Sequence, residues 1–181
     1  MPKLIALLKG INVGGHKKVA MAELRQLLTK EGLKNVQTYI QSGNVIFDSI
    51  DDVKKIEDRI QEVIYSHFGF EVLVIVKTRD EIQSVFSACP FSNEKKEKSY
   101  FIIFDKIPSI ELIKEVSKIA YENEEFVIKE KCLYFYSPLG YGQAKFSLNA
   151  FERKLKVKGT ARNYNTMVKL IAMSATEEKD H

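Results

Sequence analysis

The residues whose types and spacing suit chemistry lie in a few glycine-rich and asparagine-rich stretches. Residues 10–17 read G-I-N-V-G-G-H-K, directly after the apolar run L-I-A-L-L. Gly10 and Gly15 have the spacing of a phosphate-binding P-loop, in which backbone N–H groups cradle phosphate and Lys then Ser or Thr follow. Here His16 and Lys17 follow, and the hydroxyl that would hold Mg²⁺ is missing. The helical pattern starts near Ala20, so the helix would not abut the loop. Two readings stay open. Gly10, Gly14 and Gly15 turn the chain out of a buried strand, or the loop takes an anion or polar ligand with Asn12 as donor.

Q-S-G-N (41–44) reads as a hairpin turn. Ser42 as a nucleophile needs a base, and of His16, His67 and His181 only His16 lies near a motif. There is no G-x-S-x-G elbow. There is no H-x-x-H, no H-E-x-x-H and no carboxylate cluster with a partner His, so neither a metal nor another cofactor is expected.

Charge adds a second clue. Residues 1–18 carry four lysines and no acid, and residues 145–169 carry seven bases against Glu152, although the whole chain is only +4. If the two ends meet, they form one basic surface for an anionic partner. Arg162 stands just before a helix start, where a cation is unfavourable by roughly 0.3–1 kcal/mol unless an anion intervenes. Lys145 repeats the pattern. The candidate ligand-binding residues are therefore Lys9, Asn12, Gln41, Ser42, Asn44, Lys145, Arg162, Asn163 and Asn165, with Asn163 or Asn165 serving equally as a helix cap.

The elements that must position them follow from periodicity. Residues 4–8 form a buried strand. Met21, Leu24, Leu27 and Leu28 have helical spacing up to Gly32. V-Q-T-Y-I and V-I-F flank the Q-S-G-N turn. Val53, Ile56, Ile60, Val63, Ile64 and Phe68 share one helix face, capped by Ser49 or Asp51 and ended by Gly69, before the strand V-L-V-I-V (72–76). Thr78 and Glu81 form a capping box for a helix stopped before Pro90. The order strand, helix, strand, strand, helix, strand is that of a ferredoxin-like unit.

A charged connector at 90–98 then separates a half over 3–89 from one over 99–175. In the second half Y-F-I-I-F is a strand, and Pro108 and Ser109 introduce a helix. F-V-I and L-Y-F-Y make a hairpin, Leu148, Phe151 and Leu155 mark a helix, and Tyr164–Ala175 reads as the last helix. The fold class expected is α+β, with duplicated ferredoxin-like (βαββαβ-type) halves and mainly antiparallel sheets.

Four stretches, K-G-I-N-V-G-G, M-A-E-L-R, T-Y-I-Q-S-G-N-V-I-F and R-N-Y-N-T, stand in this order along nearly the whole chain. Together they resemble the bacterial domain of unknown function 1697 family. That family opens with R-G-I-N-V-G-G and ends near R-N-W-N-T, so Lys9 and Tyr164 depart from it. Lys9 keeps the charge but lacks the bidentate fork of Arg. The resemblance implies the duplicated ferredoxin-like fold and no activity.

Cys89 and Cys132 show no C-x-x-C pattern, no apolar run approaches the ~18 residues of a membrane helix, and the first apolar run is too short for a signal peptide. A cytoplasmic protein without membrane contact is expected; oligomeric state has no signature. The function expected is binding of an anionic ligand, either nucleic acid or a phosphorylated small molecule, through a basic polar site. For nucleic acid, Tyr134 and Tyr136, with Tyr100 or Phe101, would offer a base-stacking face. The alternative is an enzyme acting on a small anionic metabolite. Lys9, Lys145 and Arg162 would clamp it and Asn12, Gln41 and Asn44 orient it, but no general base is evident.

Overall fold

The apolar run near the N-terminus becomes β1 (Lys3–Leu8), a strand buried on both faces. The structure, a computed structural model, describes residues 1–176, and His181 lies outside the described residues. It divides into two compact units, Met1–Gln83 with the stretch from Val168 onward, and Ser84–Met167.

In the first unit β1 is followed by α1 (Met21–Lys30), β2 (Lys34–Tyr39), β3 (Asn44–Asp48), α2 (Val53–Phe68) and β4 (Val74–Thr78). The strands pair antiparallel in the order β2-β3-β1-β4. Alternation along the strands puts Leu4, Ala6 and Leu8 on the face that packs with Leu24 and Leu28 of α1 and Ile56, Ile60 and Ile64 of α2. Fully burying each such leucine or isoleucine contributes roughly 1.5–3 kcal/mol. Asp52 caps α2, accepting hydrogen bonds from the backbone N–H groups of Lys54 and Lys55. The expected caps serve elsewhere: Asp51 pairs with Arg59 at 3.0 Å, and the Ser49 hydroxyl accepts from the Asp51 N–H at 3.1 Å. Gly69 ends α2 in the left-handed region, as the sequence predicts.

The capping box is formed. Thr78 N–H donates to Glu81 Oε2 at 2.8 Å, Glu81 N–H donates to Thr78 Oγ1 at 3.1 Å, and α3 (Arg79–Ser87) follows. Residues 90–98, read above as a connector, contain the short helix α4 (Asn93–Lys96) capped by Ser92. The second unit then repeats the order with β5 (Ser99–Phe104), α5 (Ile110–Val116), β6 (Glu125–Lys129), β7 (Cys132–Tyr136), α6 (Leu148–Leu155) and β8 (Gly159–Asn163), its sheet running β6-β7-β5-β8. The chain is therefore α+β with two antiparallel ferredoxin-like halves. β8 is absent from the sequence reading because G-T-A-R-N has no apolar run; its pairing with β5 makes it a strand. Helix α7 (Tyr164–Met173) follows, with the Asn163 side chain accepting from the Thr166 N–H at 2.9 Å.

Of the four rings named for base stacking, Tyr136 is half-buried beside Phe91 and the other three are taken up within the protein. Phe86 stacks on Phe101 with ring centroids 5.6 Å apart, and Tyr134 is buried with its hydroxyl donating to the Val85 carbonyl at 2.6 Å. Burial pushes the Tyr134 phenol well above its ordinary pKa. Tyr100 points to the other face, where it packs beside Tyr141 in the helix-covered core.

Candidate functional site

The glycine loop is not a phosphate cradle. Val13 and His16 bridge across a tight turn, Asn12 N–H donates to the Lys17 carbonyl at 3.0 Å, and α1 begins only at Met21. Lys17, one position beyond the P-loop lysine, donates through Nζ to the Glu71 carbonyl at 3.1 Å. Asn12 holds this small hairpin in place. Its amide donates to the carbonyls of Val19 at 3.0 Å and Gln41 at 2.8 Å, and its side-chain oxygen accepts from the Val19 N–H at 2.8 Å. Both amide hydrogens are engaged, so Asn12 is a latch between the loop and the β2–β3 turn.

The β2–β3 turn is equally constrained. Gly43 adopts φ +92, and a Cβ there would stand 2.7 Å from Leu8 Cβ; the Leu8 N–H donates to the Gly43 carbonyl at 2.8 Å. The turn is thus pressed against the end of β1, which only glycine permits. Asn44 is buried and donates to the Tyr39 carbonyl at 3.1 Å and the Ser42 hydroxyl at 3.0 Å. It pairs opposite Leu7, on the sheet face turned away from α1 and α2.

Between loop, helix and turn lies an open groove of about 770 Å³. The loop contributes Asn12, Gly15, Lys18 and Val19; α1 and its cap contribute Ala20, Met21, Ala22 and Arg25; the hairpin contributes Thr38, Ile40 and Gln41. This lining holds two cations and no carboxylate. Arg25 Nη1 donates to Thr38 Oγ1 at 2.5 Å, and among the described residues its side chain makes no ion pair. Glu23, the acid of the first turn, is bonded to His67 of α2. The start of α1 is also uncapped, since Ala20 offers no side-chain acceptor to its first N–H groups. Ile40 stands at the rim, about half exposed, with φ +49. A β-branched residue in the left-handed region costs about 1–2 kcal/mol.

The remaining candidates are in the second unit. Lys145 is exposed, and its N–H and that of Phe146 donate to the Glu124 carboxylate at 2.8 and 3.1 Å. The anion anticipated beside this cation is the chain's own. Arg162 is buried, donating through Nη1 to Thr160 Oγ1 at 2.7 Å and the Ala161 carbonyl at 2.9 Å, and burial pushes its pKa down to about 10. It pairs opposite Phe101, whereas Phe146 beside Lys145 packs in the core on the other face of that sheet. Lys145 and Arg162 therefore do not form one clamp. Asn163 is a cap, and Asn165 is exposed on the first turn of α7.

Of the named residues, the structure brings Asn12 and Gln41 to the groove. Sequence reasoning missed Lys18, Arg25, Thr38 and Ile40. The signal was within M-A-E-L-R and T-Y-I-Q: Arg25 lies one turn beyond Met21, at the helix end nearest the glycine loop. A hollow of about 490 Å³ in the second unit is also cationic, lined by Lys106, Arg153, Lys156 and Lys158, but it differs in that Asp105 and Glu152 line it as well.

K-G-I-N-V-G-G, M-A-E-L-R and T-Y-I-Q-S-G-N-V-I-F fall within residues 1–134, the stretch matched by the family described as Protein of unknown function (DUF1697), and R-N-Y-N-T lies beyond it. The chain belongs to this family. No curated protein matches it. Among solved structures, a conserved bacterial protein, SP0830 from Streptococcus pneumoniae, is similar at 24% identity over 96% of this chain and 99% of that one, with a TM-score of 0.72. That likeness is one of fold. Among the described residues no helix is long and apolar enough to cross a membrane, and no group of three or more His, Cys, Asp or Glu residues is placed to hold a metal ion.

Proposed function

We propose that this DUF1697 chain binds a phosphate-bearing ligand in the groove between the glycine loop, α1 and the β2–β3 turn. The observation that carries this reading is the lining itself, with Arg25 and Lys18 present and every carboxylate excluded. A guanidinium has five N–H donors, and Thr38 takes one, leaving a fork suited to a phosphate or carboxylate. The uncapped start of α1 adds partial positive charge at the same place. We read the compartment as cytoplasmic, in keeping with two free thiols, and the repeated element order as a duplication.

The test is titration of pyrophosphate at low salt, followed by amide chemical shifts. Shifts are expected over residues 18–25 and 38–41. Arg25→Gln should weaken binding at least about tenfold, the loss of one charge-assisted contact of roughly 1.5–3 kcal/mol. Shifts confined to residues 105–158, or a variant that binds as well as the parent, would overturn the reading.

A further inference from the structure

The groove does not stop at Arg25. A second hollow of about 500 Å³ shares Ala22 and Arg25 with it and continues along α1 past Gln26 and Thr29 to Lys30, with Val36 of β2 as its far wall. Positions 22, 25, 26, 29 and 30 have the i, i+3, i+4, i+7, i+8 spacing of one helix face, opposite the buried Leu24 and Leu28. The face is therefore a continuous channel, and the second hollow, like the first, contains no carboxylate. Lys18, Arg25 and Lys30 stand along it in order. Arg25 and Lys30 are about 7.5 Å apart along the helix axis. No aromatic ring lines either hollow, so nothing there offers a stacking platform for a base. Short polar side chains do the lining instead: Thr29, Thr38, Gln26 and Gln41.

We propose that the natural ligand of this channel is a linear chain of phosphates, contacted through its backbone by Lys18, Arg25 and Lys30. This rests on the anion-binding reading above and goes beyond it in length and chemistry. Two sources supply such a chain, inorganic polyphosphate and the backbone of single-stranded nucleic acid. The channel would hold either without reading bases.

The experiment measures binding of orthophosphate, pyrophosphate, long-chain polyphosphate and a fluorescent single-stranded oligonucleotide to the full chain, across a salt series. Affinity is expected to rise with chain length. For a single strand, log K should fall with log salt with a slope of about −2, some −0.7 for each of three contacted phosphates. Lys30→Gln, on an exposed residue, should weaken the long ligands several-fold and leave pyrophosphate unchanged. Arg25→Gln should weaken all of them. Binding of polyphosphate alone, of the oligonucleotide alone, or of both assigns the source. Affinity independent of length, or Lys30→Gln that binds long chains as the parent does, overturns the proposal while leaving the pyrophosphate site standing. Loss of the Arg25 effect overturns the site itself.

Discussion

Between β1 and α1 the first half runs from Lys9 to Ala20, whereas between β5 and α5 the second half runs only from Asp105 to Ser109. The two connections occupy the same place in the same topology. The short one is tied at both ends, because the Ser109 hydroxyl caps α5 by accepting from the Leu112 N–H at 3.3 Å and the Asp105 carboxylate accepts from the Lys158 N–H, next to β8, at 3.0 Å. The long one ends on an alanine. Among the described residues α1 is the one α-helix without a side-chain cap: Asp52, Thr78, Ser92, Ser109, Ser147 and Asn163 serve the others. A fold that caps its helices this consistently leaves one N-terminus open, and that one faces a cation-lined groove. The difference separates residues that build the site from residues that face into it. Asn12, Gly43 and Asn44 build; Lys18, Arg25 and Gln41 face.

The builders give the largest effects. Gly43→Ala should cost on the order of 3 kcal/mol, because its Cβ would overlap Leu8 Cβ at 2.7 Å and its φ of +92 is strained for any L residue. Gly159, which lets β8 lie against β5, is the corresponding close approach in the second half. Its added Cβ would meet the Phe104 ring at 2.9 Å with no positive φ. Gly159→Ala should cost less, about 1–2 kcal/mol. Urea denaturation of the two variants measures the difference, and equal losses would remove the backbone component assigned to Gly43.

Asn12→Ala comes next. It removes three hydrogen bonds that join the loop to Val19 and to the β2–β3 turn, and should cost about 2 kcal/mol. Because the loop is one wall of the groove, pyrophosphate affinity should fall with it. Ser109→Ala in the second half should cost about 1 kcal/mol and leave that affinity unchanged. Hydrogen exchange of the Val19 amide, which donates to Asn12, reports the first change directly.

Much of this architecture was legible in the sequence. Period-2 and period-3.6 patterns placed the apolar strands and helices, and the Thr78–Glu81 box and the Gly69 stop formed as local chemistry requires. What was not legible depends on partners distant in the chain. β8 is a strand only through β5, since T-A-R-N carries no apolar alternation of its own. Asn12 and Asn44 look like ligand donors in isolation, and become latches because particular carbonyls arrive beside them. Arg162 reads as a cation at a helix start, but strand register puts it opposite Phe101 and buries it. Arg25 stood in plain view on α1, but its meaning waits on the hairpin that brings Thr38 to it.

The smallest expected effect on stability bears most directly on the open helix end. Ala20 already has the extended conformation of a cap residue, φ −72 and ψ 119, so an acceptor can be added without moving the backbone. Ala20→Asp should stabilise the protein by about 1 kcal/mol through the cap and the helix dipole. The same carboxylate would occupy the first N–H groups of α1 and put a negative charge into a lining that has none. Pyrophosphate binding should therefore weaken by about tenfold or more as the melting temperature rises. Ala20→Ser, which caps without charge, should stabilise by a similar amount and weaken binding less. If Ala20→Asp stabilises the fold and binds pyrophosphate as tightly as the parent, the open N-terminus takes no part in the site, and the contrast with the capped Ser109 end is one of stability alone.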